Sequence, residues 1–236
     1  MKKICILAVL LHIVLISEAM AHDWFLIESD AGFDIVMAHI EPTGIKADPY
    51  EPERAIQAAG YRDNGGVAPI TISWKTDKSG SYISPREKFS AITALVYNKY
   101  WMKTTDGWKN DKVQGDFSVI QEGQSYKYMK HIESWHDFML KPLGQRFEIV
   151  PMKDPLETRE GEILPVKLFF MGKEINTAKI TKESRTHSLD NIETESHFNI
   201  KIGKKGLQFI NAKIEIPVKE REIIWYAASL TFITSM

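Results

Sequence analysis

Cysteine is nearly missing from this 236-residue chain, whose single thiol, Cys5, lies inside an apolar N-terminal run. Beyond that run, disulfides and thiolate metal sites are therefore excluded. Charge of one sign is also lacking, since 30 Lys and Arg face 31 Asp and Glu for a formal net charge of -1. A chain so balanced carries no basic footprint for nucleic acid. No apolar stretch approaches the roughly 20 residues that span a bilayer as a helix. Long helical periodicity is missing too: apolar residues nowhere keep an i, i+3, i+4, i+7 pattern beyond about 12 residues. There is no Gly-x-Ser-x-Gly, no His-Glu-x-x-His and no phosphate-cradling glycine loop, which turns the reading away from hydrolases.

The N-terminus has a recognisable layout. Lys2 and Lys3 precede the run Ile4 to Ile16, broken only by His12, and the polar pair Ser17-Glu18 leads into Ala19-Met20-Ala21. Small residues at both positions read by a signal peptidase predict that residues 1–21 form a signal peptide, cut between Ala21 and His22. The expected destination is the periplasm, with His22-Asp23 as the mature start.

Downstream, apolar residues recur with period two, as in Phe33-Asp34-Ile35-Val36-Met37, Ile70-Thr71-Ile72-Ser73-Trp74 and Phe147-Glu148-Ile149-Val150. Further strands are expected at Ala91 to Tyr97, Val166 to Phe170, Phe198 to Ile202, Leu207 to Ile216 and Ile223 to Ile233. Many short strands without intervening helices predict an all-β chain of two consecutive antiparallel β-sandwich, immunoglobulin-like domains. The punctuation Lys141-Pro142-Leu143-Gly144 sets the expected boundary, with domains over 22–143 and 144–236. Thr181 to Ser196 is polar without alternation and reads as a solvated loop. Tyr97 to Asn110 reads as a hairpin turning at Asp106-Gly107, its Tyr100, Trp101 and Trp108 available as an aromatic cover for the core or as a sugar platform.

Cleavage before His22 would place a free α-amine beside an imidazole on one residue. Both groups lose a proton near neutrality, with ordinary pKa values of about 7.7 and 6.5, and together they chelate a divalent cation. Imidazole suits nickel, cobalt, copper and zinc. His39 is the first choice for a second nitrogen, because a hairpin of Trp24 to Ile27 with Phe33 to Met37 carries the end of one strand to the start of the other. His131 and His136 are five apart, a spacing that shares a face on neither helix nor strand, so they serve as ligands only across a turn. His187 and His197 flank the polar segment and read as surface residues.

The set His22-Asp23-Trp24-Phe25-Leu26, Asn98-Lys99-Tyr100-Trp101 to Trp108-Lys109-Asn110, Lys141-Pro142-Leu143-Gly144 to Pro151 with Asp154-Pro155, and Tyr226-Ala227-Ala228-Ser229-Leu230-Thr231-Phe232 resembles a family of bacterial periplasmic proteins of formerly unknown function associated with nickel and cobalt uptake. The resemblance implies a β-sandwich protein that binds a transition metal and hands it to a membrane importer. It matches His22 and His39 to family histidines, with Ala38 in place of the usual preceding glycine. Asn211-Ala212-Lys213 stands where many relatives carry a further histidine.

The leading expectation is a non-enzymatic periplasmic protein that binds nickel or cobalt through His22 and His39, with His136 or His131 completing the shell. Copper is favoured by ligand chemistry alone, and zinc is a further candidate. Two other readings stay open: a copper enzyme with a histidine brace, which needs an exposed flat face, and a metal-free immunoglobulin-like interaction module.

Overall fold

The computed structural model describes residues 22–41, 44–176, 178–184, 192–193 and 197–234; the expected signal segment and His187 lie outside them. The chain forms β1 (Asp23–Ser29), β2 (Gly32–Glu41), β3 (Gly44–Asp48), β4 (Ala55–Tyr61), β5 (Val67–Pro69), β6 (Ile72–Trp74), β7 (Ser81–Ile83), β8 (Ala91–Thr104), β9 (Gly107–Asn110) and β10 (Val119–Ile132). It continues with β11 (Phe147–Pro151), β12 (Ile163–Phe170), β13 (Lys173–Ile175), β14 (Lys179–Ser184), β15 (Ile192–Glu193), β16 (Phe198–Lys201), β17 (Gly206–Pro217) and β18 (Glu222–Thr234). Two short 3-10 turns, Pro52–Arg54 and Asp137–Leu140, are added to them. Among the described residues no helix is long and apolar enough to cross a membrane.

The architecture is a layered, all-β sandwich. A first sheet runs β1-β2-β7-β6 with β3 on β2, and a third runs β11-β12-β16-β15 with β13 on β12. Between them lies an eight-stranded sheet, β14-β17-β18-β10-β8-β4-β5, with β9 on β8. All of the first sheet precedes Lys141-Pro142-Leu143-Gly144 and all of the third follows it, whereas the central sheet draws strands from both sides. Its two halves meet where β10 pairs with β18 in parallel, from Glu122↔Glu222 to Ile132↔Phe232.

Alternation explains how one sheet serves two cores, because successive strand residues point to opposite faces. On β10 Met129 joins a core with Trp24, Leu26, Phe33 and Ile35 of the first sheet, while Tyr128 and Ile132 join a core with Phe147, Ile149 and Val166 of the third. On β18 Tyr226, Ala228, Leu230 and Phe232 face the third sheet, and Thr231 faces the first, its hydroxyl donating to the Leu26 carbonyl at 2.9 Å. The parallel seam also demands a glycine. Gly123 has φ +155, and a Cβ there would stand 1.7 Å from the Ile223 carbonyl oxygen.

Two sequence expectations are corrected. Thr181 to Ser184 is not loop but the end of β14, paired with β17 from Lys179↔Lys213 to Ser184↔Gln208; an edge strand rich in charged residues has no apolar alternation to betray it. Residues 119–132, which fall in none of the expected strands, form the most central strand. Its polar residues conceal it because several of them, Ser125, Lys127, Lys130 and His131, are buried rather than solvated.

Lys130 is the clearest of these. Its ammonium donates to Glu148 Oε1 at 2.7 Å, with the two side chains 1% and 0% exposed. The carboxylate also accepts the backbone N–H groups of Leu143, Gly144 and Gln145 at 2.8–3.2 Å, which folds the crossing between the first and third layers around one buried anion. Removing one partner strands a charge, at a cost of about 3–5 kcal/mol. Lys130→Met is therefore expected to lower unfolding stability by about that amount, whereas Lys130→Met with Glu148→Gln regains most of it, since a neutral amide oxygen still accepts the three N–H groups. Urea denaturation of the single and double variants checks this; equal losses in both would show that the pair does not carry the coupling.

Candidate functional site

The start of β1 is pinned to the central sheet by charge. Asp23 Oδ1 accepts from Asn211 Nδ2 and from Lys213 Nζ at 2.9 Å. Both partners come from β17, on the same face as Phe209, which packs on Phe25 with ring centroids 5.0 Å apart. These contacts hold His22 at the mouths of two concave spaces. One is an open cleft of about 910 Å³ lined by His22, Met37, Tyr50, Arg54, Trp74 and Asn110 among others. The second, about 410 Å³, is lined by His22, Trp101, Trp108, Lys127, Lys213 and Trp225 among others. His22 and Asn110 are common to both.

The floor of the open cleft is fixed by Tyr50. Its hydroxyl donates to the Ile35 carbonyl and accepts the Ser81 N–H, both at 2.9 Å, and its ring lies edge-on to Trp24 at 4.6 Å. Burial pushes the phenol up to about 12, so it stays neutral and keeps donating. Two residues before it, Asp48 Oδ2 lies 3.1 Å from His22 Nε2. That approach lacks the alignment of a hydrogen bond, and the oxygen, shielded from solvent, has no other donor.

The β1–β2 ladder ends at Asp23↔Ala38, one residue along the chain from His22 on one side and from His39 on the other. β2 also pairs His39 with Lys46 of β3. The His39 side chain lies outside the described residues. His131 and His136 are elsewhere. His131, on β10, is 1% exposed and has both ring nitrogens engaged, Nδ1 with Thr231 Oγ1 at 2.9 Å and Nε2 with Glu133 Oε1 at 2.6 Å. It also packs on Phe33. Thr231 reaches Leu26, four residues along β1 from His22, or about 13 Å of strand. His136 precedes the second 3-10 turn, stacks on Phe138 and approaches Asp63 Oδ1 at 3.4 Å. Asp63 contacts Ser90, beside the start of β8, whereas Trp101, which shares a cavity with His22, lies ten residues further along that strand, roughly 30 Å. Among the described residues no three His, Asp or Glu side chains are gathered as a metal-holding group.

Sequence reasoning missed Lys127. It is 9% exposed, lines the smaller cavity, and has no hydrogen-bond acceptor among the described residues, its nearest charges being Lys213 and Asp23. Burial and the Lys213 charge, opposed by Asp23, pull its pKa down to about 8. A lysine alternating with Tyr126 and Tyr128 looks like the wet face of a strand, and no local signal reveals that both faces are covered.

This is a layered β protein in which His22 lines both an open cleft and a smaller cavity walled by aromatic and basic side chains. The chain belongs to the family described as a domain of unknown function (DUF4198), which it matches over residues 19–215. Comparison with curated proteins and with solved structures finds no match.

Because the native fold disfavours charged Lys127, stability held back near neutrality is recovered as the pH rises from about 8 toward the unfolded value of about 10.4. Lys127→Met is expected to stabilise the protein at pH 7, with the gain shrinking through that window. Difference urea midpoints of variant and wild type at pH 7 and 10 measure it; a pH-independent difference would show that the ammonium is not desolvated.

Proposed function

We propose that this protein is a periplasmic, non-enzymatic carrier of a divalent transition ion, nickel or cobalt, which it delivers to a membrane importer. The observation that carries this reading is the 3.1 Å approach of His22 Nε2 to Asp48 Oδ2, a carboxylate oxygen with no other partner. A carboxylate behind one imidazole nitrogen orients the ring and raises the basicity of the other. Nδ1 and the α-amine exposed by cleavage before His22 are then the chelating pair, and His39, one rung away, is the next nitrogen. The engagement of His131 and the distance of His136 leave them out of this set. Placement of His22 between two concavities, rather than on a flat face, favours capture of cargo over copper oxidation of a polysaccharide surface.

The test is calorimetric titration of protein beginning at His22 with nickel, cobalt, copper and zinc. One extra residue before His22 converts the amine to an amide, and the expected loss of nickel affinity is at least about tenfold, or about 1.4 kcal/mol. Asp48→Asn, acting through the ring, is expected to weaken binding about tenfold. Affinity no tighter than about 10 µM for every ion, or affinity indifferent to both changes, would overturn the reading.

A further inference from the structure

The smaller cavity shares His22 and Asn110 with the open cleft but has a wall of its own. Three tryptophans from different strands form its wall: Trp101 of β8, Trp108 of β9 and Trp225 of β18. Trp101 packs on Trp225 and lies 4.6 Å from Trp108, centroid to centroid. A register shift brings Trp101 there. Tyr97 pairs with Tyr126 but Tyr100 with Gln124, with Lys99 between them at φ +51, and the extra residue turns Trp101 onto the face that carries Lys127 and Trp225. Trp108 stays 50% exposed, and Trp225 is oriented by its indole N–H, which donates to Glu215 Oε1 at 2.9 Å.

Opposite this wall the charges do not cancel. Asp23 is occupied by Lys213 and Asn211, and the Lys127 side chain, only 9% exposed, lines the cavity with no ion pair or hydrogen bond of its own among the described residues. Burying an ammonium without an acceptor is costly, and one oxyanion supplied by a ligand removes that cost. With Lys213 already neutralised, one positive charge is left over, which matches a monoanion rather than a phosphate dianion. The volume, about 410 Å³, is that of a small-molecule site.

We propose that this cavity binds a small aromatic monocarboxylate, its carboxylate on the Lys127 ammonium and its flat ring against Trp108 and Trp101. The site requires no metal, so it goes beyond the metal-carrier reading and stands or falls without it. The depressed pKa of Lys127 fits a cation that has yet to meet its counterion, and binding raises it again.

The probes are 2-naphthoate and its uncharged analogue 2-naphthamide, titrated at pH 7 into dialysed, metal-free protein and followed by tryptophan fluorescence and calorimetry. The acid is expected to bind with Kd below about 1 mM and at least about tenfold more tightly than the amide. Lys127→Met, which keeps the chain length and removes the charge, is expected to erase that preference while circular dichroism stays unchanged. Lys127→Arg retains it, and Trp108→Ala weakens both probes at least about threefold. Asp48→Asn, which the metal-carrier reading expects to weaken metal binding and which lies outside this cavity's lining, leaves both probe affinities unaltered, so the two proposals fail separately. No binding of the acid to wild-type protein, equal binding of acid and amide, or a preference that survives in folded Lys127→Met would overturn the proposal. Should Lys127→Met not fold, the wild-type preference together with Trp108→Ala decides.

Discussion

Everything else in the molecule hangs on the parallel pairing of β10 with β18. β10 lies in the middle of the chain and β18 about a hundred residues later, and their union makes one sheet from what are otherwise two sets of hairpins. Parallel strands are stable when both faces are covered, and here the first and third sheets supply the covers. Gly123 permits the contact at the mouth of the seam, where any side chain would meet the Ile223 carbonyl.

A strand covered on both sides has nowhere to send its polar side chains, and β10 carries three charged or ionisable ones inward. Each is resolved differently. Lys130 finds Glu148 and, through it, the backbone of the crossing loop. His131 is held between Thr231 and Glu133. Lys127 alone lines a cavity, with no ion pair or hydrogen bond of its own among the described residues. Two of the three stabilise layer contacts, and the third leaves an uncompensated charge beside the tryptophans. The same face carries Asp23, whose contacts with β17 fix the position of His22. The proposed metal site and the proposed anion site thus draw on neighbouring groups.

Much of the fold was legible wherever apolar residues recur along a strand. Phe33 to Met37, Phe147 to Val150, Leu207 to Ile216 and Ile223 to Ile233 all fall inside observed strands, because alternating or near-continuous apolar residues mark a strand against one core or two. The hairpin over Tyr97 to Asn110 was legible from its turn chemistry, with Thr104 pairing Gly107 at the tip. β10 and β14 were not: one buries polar groups in private networks, and the other lies at an edge where charge is tolerated. Within the candidate site, His22 was picked out by its place after the expected cleavage point and His39 by its place in a short hairpin, both local matters. Lys127, Asp48 and Trp225 were not, since nothing near them in the chain marks them.

By itself the sequence determined an all-β chain, free of disulfides beyond Cys5, with a distinctive histidine at position 22, because composition, alternation and turn residues act over a few neighbouring positions. Only the tertiary structure decided that the two halves share a central sheet, that His131 and His136 stand apart from His22, and that a lysine and three tryptophans from four strands enclose one cavity. Those outcomes depend on strand register and layer stacking between residues a hundred or more positions apart, as in His131 with Thr231. No local pattern encodes such a distance, and burial reverses the meaning of a polar residue once it is set.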